Sequence, residues 1–158
     1  MNLPRLATKQ DMPRVLELIN ELAVFEKEPE AVEVTVKDLI NDGFGEYPKF
    51  TCFVLEDKSV VEGLALVYPR YSTWKGEALH LEDLIISEKC RGKGFGTQLL
   101  NTVVKYGKQI GVKRICWEVL DWNESAIDFY EKKGANVMRD WDVVQLDEQG
   151  IKNYLLKI

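Results

Sequence analysis

The sequence predicts a mixed α/β domain, a mostly antiparallel central sheet flanked by helices. Three β-rich runs follow one another between residues 49 and 87 with only short separators. Helical periodicity brackets them on both sides, and in the second half helix and strand patterns alternate, which requires crossover connections. At 158 residues the chain suits one domain, residues 1–158, with a substantial core.

The elements follow in order. Val15, Leu16, Ile19, Leu22 and Phe25 recur at helical spacing from Met12 to Phe25, with Thr8 or Asp11 as cap and Pro13 tolerated in the first turn. In "TVKDLINDG", Thr35 and Asp38 have the spacing of a capping box, and Gly43 is the expected left-handed terminator of a short second helix. "KFTCFVLE" and "SVVEGLALVYP", separated by "DKS", read as a hairpin, and "EALHLEDLIIS" as a third strand. A glycine-rich loop then opens a helix that ends near Gly111. "KRICWEVL" reads as a strand, "ESAIDFYEKKG" as a helix closed by Gly134, and "WDVVQL" as a final strand.

Composition narrows the function. Apolar residues make up 46% and charged residues 30% of the chain. No apolar run approaches the roughly 20 residues of a membrane-spanning helix, and the N-terminus lacks the pattern of a secretory signal, so a cytoplasmic protein without a membrane partner is expected. Cys52, Cys90 and Cys116 are odd in number and widely spaced, and His80 is the sole histidine, which argues against a disulfide framework or a zinc site. We expect no metal. A net charge of −5 disfavours nucleic acid as a partner.

The strongest motif is "RGKGFG", residues 91–96, between an apolar strand and an amphipathic helix. It lacks the GxxxxGK[ST] spacing of a nucleotide-binding P-loop. Its position nevertheless leaves unpaired backbone N–H groups at a helix start, while glycines 92, 94 and 96 let the main chain approach a ligand and Arg91 and Lys93 add positive charge. This is a nest suited to a diphosphate.

Those residues resemble the coenzyme A diphosphate loop (R/Q-x-x-G-x-G/A) of the GNAT superfamily of N-acetyltransferases. "NDGFGEYP", "LHLEDLII", "EVLDWNESAIDFYEKKGA" and "NYLLKI" extend the resemblance over nearly the full chain to the spermidine/spermine (diamine) N-acetyltransferase branch. The resemblance implies the GNAT fold, whose central strands splay to admit acetyl-CoA, an enzyme acting by direct attack in a ternary complex, and a homodimer. It implies diphosphate contacts from Arg91, Gly92, Lys93, Gly94, Phe95, Gly96 and Thr97. Leu84, Ile85 and Ile86 are expected to offer backbone groups to the pantetheine arm, and Asn123, Glu124, Ser125 and Ala126 to contact the coenzyme.

Acetyl transfer to an amine requires removing a proton from an ammonium of pKa about 10, stabilising an oxyanion and protonating a departing thiolate. Glu82 and Asp83 interrupt an apolar strand, where carboxylates are costly unless solvated, paired or used. Strand alternation turns them to opposite faces. The resemblance makes Glu82 the base, directly or through water, Asp83 part of the acceptor site and Tyr130 the general acid at the coenzyme's sulfur. It also assigns Phe25 and Glu26 to the acceptor amine, and we add Trp74, an aromatic on the loop before the catalytic strand. "FEKEPEAVE" supplies an acidic approach suited to a polyamine, diamine or thialysine-like amine, although Lys75 opposes a long polycation. His80 reads as a packed strand residue outside the mechanism, and Cys90 as inert packing. Other readings keep the donor but take a protein N-terminus, a lysine or an amino-acid amine as acceptor, or reduce the domain to a CoA-binding module without turnover.

Overall fold

The computed structural model describes residues 3–158. The chain divides into two compact units, Met1–Glu118 and Val119–Ile158.

The first unit opens with β1 (Arg5–Leu6), a short element that the sequence did not announce. Thr8 begins a single 3-10 turn that leads into α1 (Met12–Phe25), the helix expected over those same residues. Asp11 organises this entry. Its carboxylate accepts from the Thr8 N–H at 2.7 Å and from Arg5 Nη1 and Nη2 at 2.8 and 2.9 Å. The Arg5 guanidinium is the main reason why the Asp11 carboxyl titrates at about 2.

The capping box of α2 (Val36–Phe44) forms as expected: Asp38 N–H donates to Thr35 Oγ1 and Thr35 N–H to Asp38 Oδ2. Gly43 does not terminate it. It lies inside the helix because a Cβ there would come within 2.6 Å of the Phe50 ring, so close packing rather than a left-handed turn explains this glycine.

The hairpin is present as β2 (Thr51–Asp57) and β3 (Val60–Ser72), joined through Lys58 and Ser59, both at positive φ. β4 (Gly76–Ile86) returns antiparallel to β3. A five-stranded sheet results, in the order β1-β2-β3-β4-β5, antiparallel except for the last pair. Alternation loads both of its faces. Val54, Leu64, Leu66 and Ile85 pack with Met12, Val15 and Leu18 of α1 and Leu39 of α2. On the opposite face lies α3 (Phe95–Gln109), whose Leu99 and Val103 are fully buried and whose Tyr106 meets Phe53 edge-on at 5.4 Å.

A charged group is buried in this frame. Glu62 of β3, 2% exposed, is held by Lys89 at 2.6 Å and by Arg14 of α1 at 3.3 Å. Burial alone would push its carboxyl up, but the lysine and arginine outweigh it and the pKa is lowered. Helix, strand and the entry to the glycine loop are thereby joined through one carboxylate.

β5 is far shorter than the expected strand. Of "KRICWEVL", only Ile115–Cys116 pair, parallel to Leu79 and His80 of β4. The outer edge of β5 has no strand partner among the described residues, so the following residues have no ladder to join.

The second unit contains α4 (Glu124–Glu131), followed by Gly134 at φ +88°, as expected, and α5 (Glu148–Leu155), which the sequence reading did not include. The strand expected at residues 141–146 does not form: these residues have no regular structure, and Trp141, Val143, Val144 and Leu146 are exposed. An alternating pattern specifies a face but not a partner, and no strand pairs with it among the described residues.

The Asp11 clamp gives a test with a defined sign. Its folded pKa is depressed below the ordinary value of 3.8, so its contribution is fully present above about pH 4 and is lost as the pH falls through about 2. Asp11→Asn is expected to cost about 1–2 kcal/mol near neutrality, allowing for solvent screening of the half-exposed arginine. Urea unfolding at a series of pH values should show the gap to wild type closing below about pH 4.

Candidate active site

Two irregularities in β4 build the site. The first is the end of its pairing with β5: after His80 opposite Cys116, no further residue of β4 has a strand partner on that side among the described residues, although β4 continues to Ile86. Backbone groups of Leu81–Ile86 that alternate toward that side have no strand partner among the described residues. Leu84, Ile85 and Ile86 remain paired on their other side with Ala65, Leu64 and Gly63. This is the expected splay.

The second is a bulge. Leu66 of β3 faces Asp83 and Val67 faces Leu81, so Glu82 is an extra residue with no opposite number. The expectation that Glu82 and Asp83 face opposite sides is thereby overturned. Tyr68 and Leu66, two residues apart, share one face of β3, and their β4 partners His80 and Asp83 lie on that same face. Glu82 stands between these partners and turns the same way, toward His80. A bulge is the local device that puts two consecutive carboxylates on one side of a strand.

Their environments differ. Glu82 is half-exposed and accepts from the Tyr68 hydroxyl at 2.8 Å through Oε2, with His80 Nε2 3.5 Å from the same oxygen. Asp83 is largely enclosed. Burial first, then the charges of Glu82 and Glu26, push its carboxyl up to about 7. Glu26, at the C-terminal end of α1, is itself raised by burial. Three carboxyl groups therefore gather in one electrostatic neighbourhood, and the raised proton affinity of Asp83 brings its titration close to neutral pH.

The glycine loop lies at the far end of β4. Gly92 and Gly94 sit at φ +76° and +81°, conformations that disfavour a side chain, and Gly94 is the N-cap of α3. The first helical bond runs from the Gln98 N–H to the Gly94 carbonyl. The N–H groups of Phe95, Gly96 and Thr97 thus lack intrahelical acceptors and form the positive end of a 15-residue helix. The Arg91 guanidinium lies 5.1 Å from the centre of the Phe25 ring, linking this loop to the end of α1. Lys93 is 3.3 Å from Asp57 and 3.5 Å from Cys90 Sγ.

Trp74 lies elsewhere. It is 79% exposed at the β3–β4 turn, and Glu82 is six positions along β4 from Gly76, roughly 20 Å along a strand. In the second unit, the Asn123 side chain caps α4 by accepting from the Ala126 N–H at 3.2 Å, ahead of Glu124 and Ser125 in its first turn. Tyr130, on α4, packs edge-on against Phe129, and burial pushes its hydroxyl up to about 12.

Sequence reasoning passed over Tyr68 and set His80 aside. The signal was the hairpin register: Tyr68 lies directly opposite His80, two residues from Glu82.

Comparison with known proteins then decides the family. Residues 12–135 match the family model of the acetyltransferase (GNAT) family. The chain belongs to that family. It is an acetyl-CoA-dependent amine N-acetyltransferase. It is 37% identical over 139 residues to the thialysine N-epsilon-acetyltransferase of Bos taurus, covering 83% of this chain and 82% of that one. It is 31% identical to an L-ornithine N5-acetyltransferase of Arabidopsis thaliana, with 90% and 82% covered. A human spermidine/spermine N(1)-acetyltransferase-like protein is 34% identical, covering 83% of this chain and 20% of the longer human one. Among solved structures, an integron cassette protein of V. cholerae superposes with a TM-score of 0.79 at 22% identity, covering 99% and 98% of the two chains. An aminoglycoside N-acetyltransferase in complex with CoA gives 0.73 at 15% identity, with 92% and 94% covered. Both share the fold. Among the described residues, no helix is long and apolar enough to cross a membrane.

The raised Asp83 carboxyl makes a prediction about stability. A group whose folded pKa exceeds its ordinary 3.8 destabilises progressively as the pH rises from about 4 to 7. Asp83→Asn should therefore gain stability over wild type at pH 8, by roughly 2 kcal/mol, and little at pH 4, read as denaturation midpoints.

Proposed function

We propose that this N-acetyltransferase acts on the primary amine of a small aliphatic molecule, a polyamine, a diamine or a thialysine-like amino acid, by direct attack on the thioester of acetyl-CoA in a ternary complex. The observation that carries this reading is the gathering of Glu26, at the end of α1, with Glu82 and Asp83 of β4, the strand that leads to the glycine loop: cation-attracting groups share a strand with a helix start suited to an anion. Relatives that act on thialysine and L-ornithine add support for an acceptor carrying an ammonium on a short aliphatic stem.

The roles follow from chemistry. Backbone N–H groups of Phe95, Gly96 and Thr97, with Arg91, Gly92, Lys93 and Gly94, bind the diphosphate. Main-chain groups of Leu84, Ile85 and Ile86 hold the pantetheine arm, and Asn123, Glu124, Ser125 and Ala126 extend that contact. Phe25, Glu26 and Asp83 receive the acceptor ammonium. Glu82 takes its proton, directly or through a water, so that the nitrogen lone pair attacks the carbonyl carbon. As the carbon–sulfur bond breaks, Tyr130 gives the phenolic proton to the departing thiolate and recovers one, through water, from the nitrogen, which sheds its second ammonium proton as the amide forms; a hydroxyl held at about 12 is protonated at neutral pH and so is available as the donor. The family match crosses residue 118, which supports one catalytic domain made of both units. Exposed apolar residues along 141–158, with Val144 91% and Leu156 86% exposed, support a homodimer that covers them. Three free cysteines suit a reducing cytoplasm.

The deciding experiment mixes the protein with acetyl-CoA and a panel of polyamines, diamines, thialysine, ornithine and a lysine peptide while following free thiol. Release with a small amine supports the proposal, release with the peptide alone moves the acceptor to protein, and no release with any amine leaves a CoA-binding module. Tyr130→Phe is expected to lower kcat by about 10²-fold while acetyl-CoA binding by calorimetry stays within a factor of two or so.

A further inference from the structure

Glu82 is gripped from one side only. The Tyr68 hydroxyl donates to Oε2 at 2.8 Å, and His80 Nε2 lies 3.5 Å from the same atom. Oε1 has no hydrogen-bond partner among the described residues. Behind the imidazole, His80 Nδ1 is 3.6 Å from Cys116 Sγ, and that sulfur receives Arg70 Nη1 at 3.6 Å. The Tyr68 and His80 rings stack 5.0 Å apart at 34°, fixing the imidazole plane.

Donor and acceptor rules give this chain a direction. An ionised Glu82 can only accept, so Tyr68 must donate, and the nitrogen nearest Glu82, Nε2, must carry a hydrogen to be attracted. In a neutral imidazole Nδ1 is then the acceptor, and the Cys116 S–H is the group aimed at it, with the Leu79 carbonyl at 3.7 Å as its alternative. Arg70, which has no acceptor of its own, occupies a lone pair of the sulfur. Donation runs from Arg70 to Cys116, from Cys116 to His80 and from Tyr68 to Glu82, and the approach of His80 Nε2 to Oε2 at 3.5 Å is an electrostatic contact that favours a hydrogen on that nitrogen. His80 and Cys116 are also the last pair before β4 and β5 separate, so the chain is anchored in regular sheet at the edge of the opening.

We propose that Tyr68, His80 and Cys116 are positioning residues for the acetyl-transfer base: they hold Glu82 by Oε2 and leave Oε1 as the oxygen that takes the acceptor's proton. The inference rests on Glu82 being that base. Tyr68 supplies the stronger grip, since it is the shorter bond. Cys116 acts at one remove, by selecting the Nε2–H tautomer of His80. Charged and titratable groups around Glu82 are Arg70 with Tyr68 on β3, His80 and Asp83 on β4, Cys116 and Glu118 at β5, and Glu26 at the end of α1.

Donors to a carboxylate favour its charged form, so removing one raises the pH at which it protonates. Tyr68→Phe keeps the ring stack and deletes the donor. We expect kcat to fall about tenfold, the acetyl-CoA KM to hold, and the acid limb of kcat/KM to move to higher pH. His80→Gln should shift the limb in the same direction, and Asp83→Asn identifies the step that belongs to Asp83. In a Glu82→Gln background, Tyr68→Phe should cost little more. Because the sequence holds a single histidine, its 15N resonances report the tautomer directly: Nε2–H in wild type and a mixture in Cys116→Ala. If Glu82→Gln keeps the wild-type rate, the base reading falls and this proposal with it. If Glu82→Gln is impaired but Tyr68→Phe and His80→Gln keep both rate and limb, or Tyr68→Phe costs as much without Glu82 as with it, the positioning role alone is overturned. A wild-type Nδ1–H tautomer overturns the chain's direction.

Discussion

The structure depends on a sheet that stops pairing. β4 leaves β5 after a single pair of residues on each strand, and an unpaired run of backbone inside a sheet is normally a defect with an appreciable cost per unsatisfied group. Here that run leads to a loop whose glycines and helix start present further N–H groups in need of acceptors. Both features ask for the same kind of ligand, one long enough to reach from a charged diphosphate to a strand-like arm of amides. The bulge at Glu82 is the third part of this arrangement, because it turns two acidic side chains to one face where regular alternation would have divided them.

Burial then distinguishes the two acids. Glu82 stays half in solvent with the Tyr68 hydroxyl donating to one oxygen, while Asp83 gives up solvent and is pushed to about 7. The charge on Asp83 therefore changes near neutrality.

Much of this was legible in the residues. The spacing of Val15, Leu16, Ile19, Leu22 and Phe25 marked α1 at its observed limits, and Thr35 with Asp38 marked the start of α2, because helix periodicity and caps are local signals. "RGKGFG" showed a strand-to-helix anion nest for the same reason. What failed was pairing. Residues 141–146 alternate as a strand should, yet form none, and "KRICWEVL" yields two strand residues, since both depend on a partner that local pattern does not name. The bulge was invisible because it exists only as a mismatch between β3 and β4. Tyr68 was missed for a related reason: it lies beside Glu82 only through that register. Gly43 shows the converse, a glycine that fitted a cap but serves to admit the Phe50 ring.

The Glu62 cluster constrains how this fold can change over generations. Losing Arg14 or Lys89 alone leaves the buried Glu62 carboxylate with one counter-charge in place of two, and losing Glu62 alone deprives Lys89 of this partner while Arg14 keeps Glu17 and Glu21. An all-apolar replacement would be tolerable only when the three positions change together, so drift through single substitutions meets a barrier here. Three residues on a helix, a strand and a loop are in that sense inherited as one.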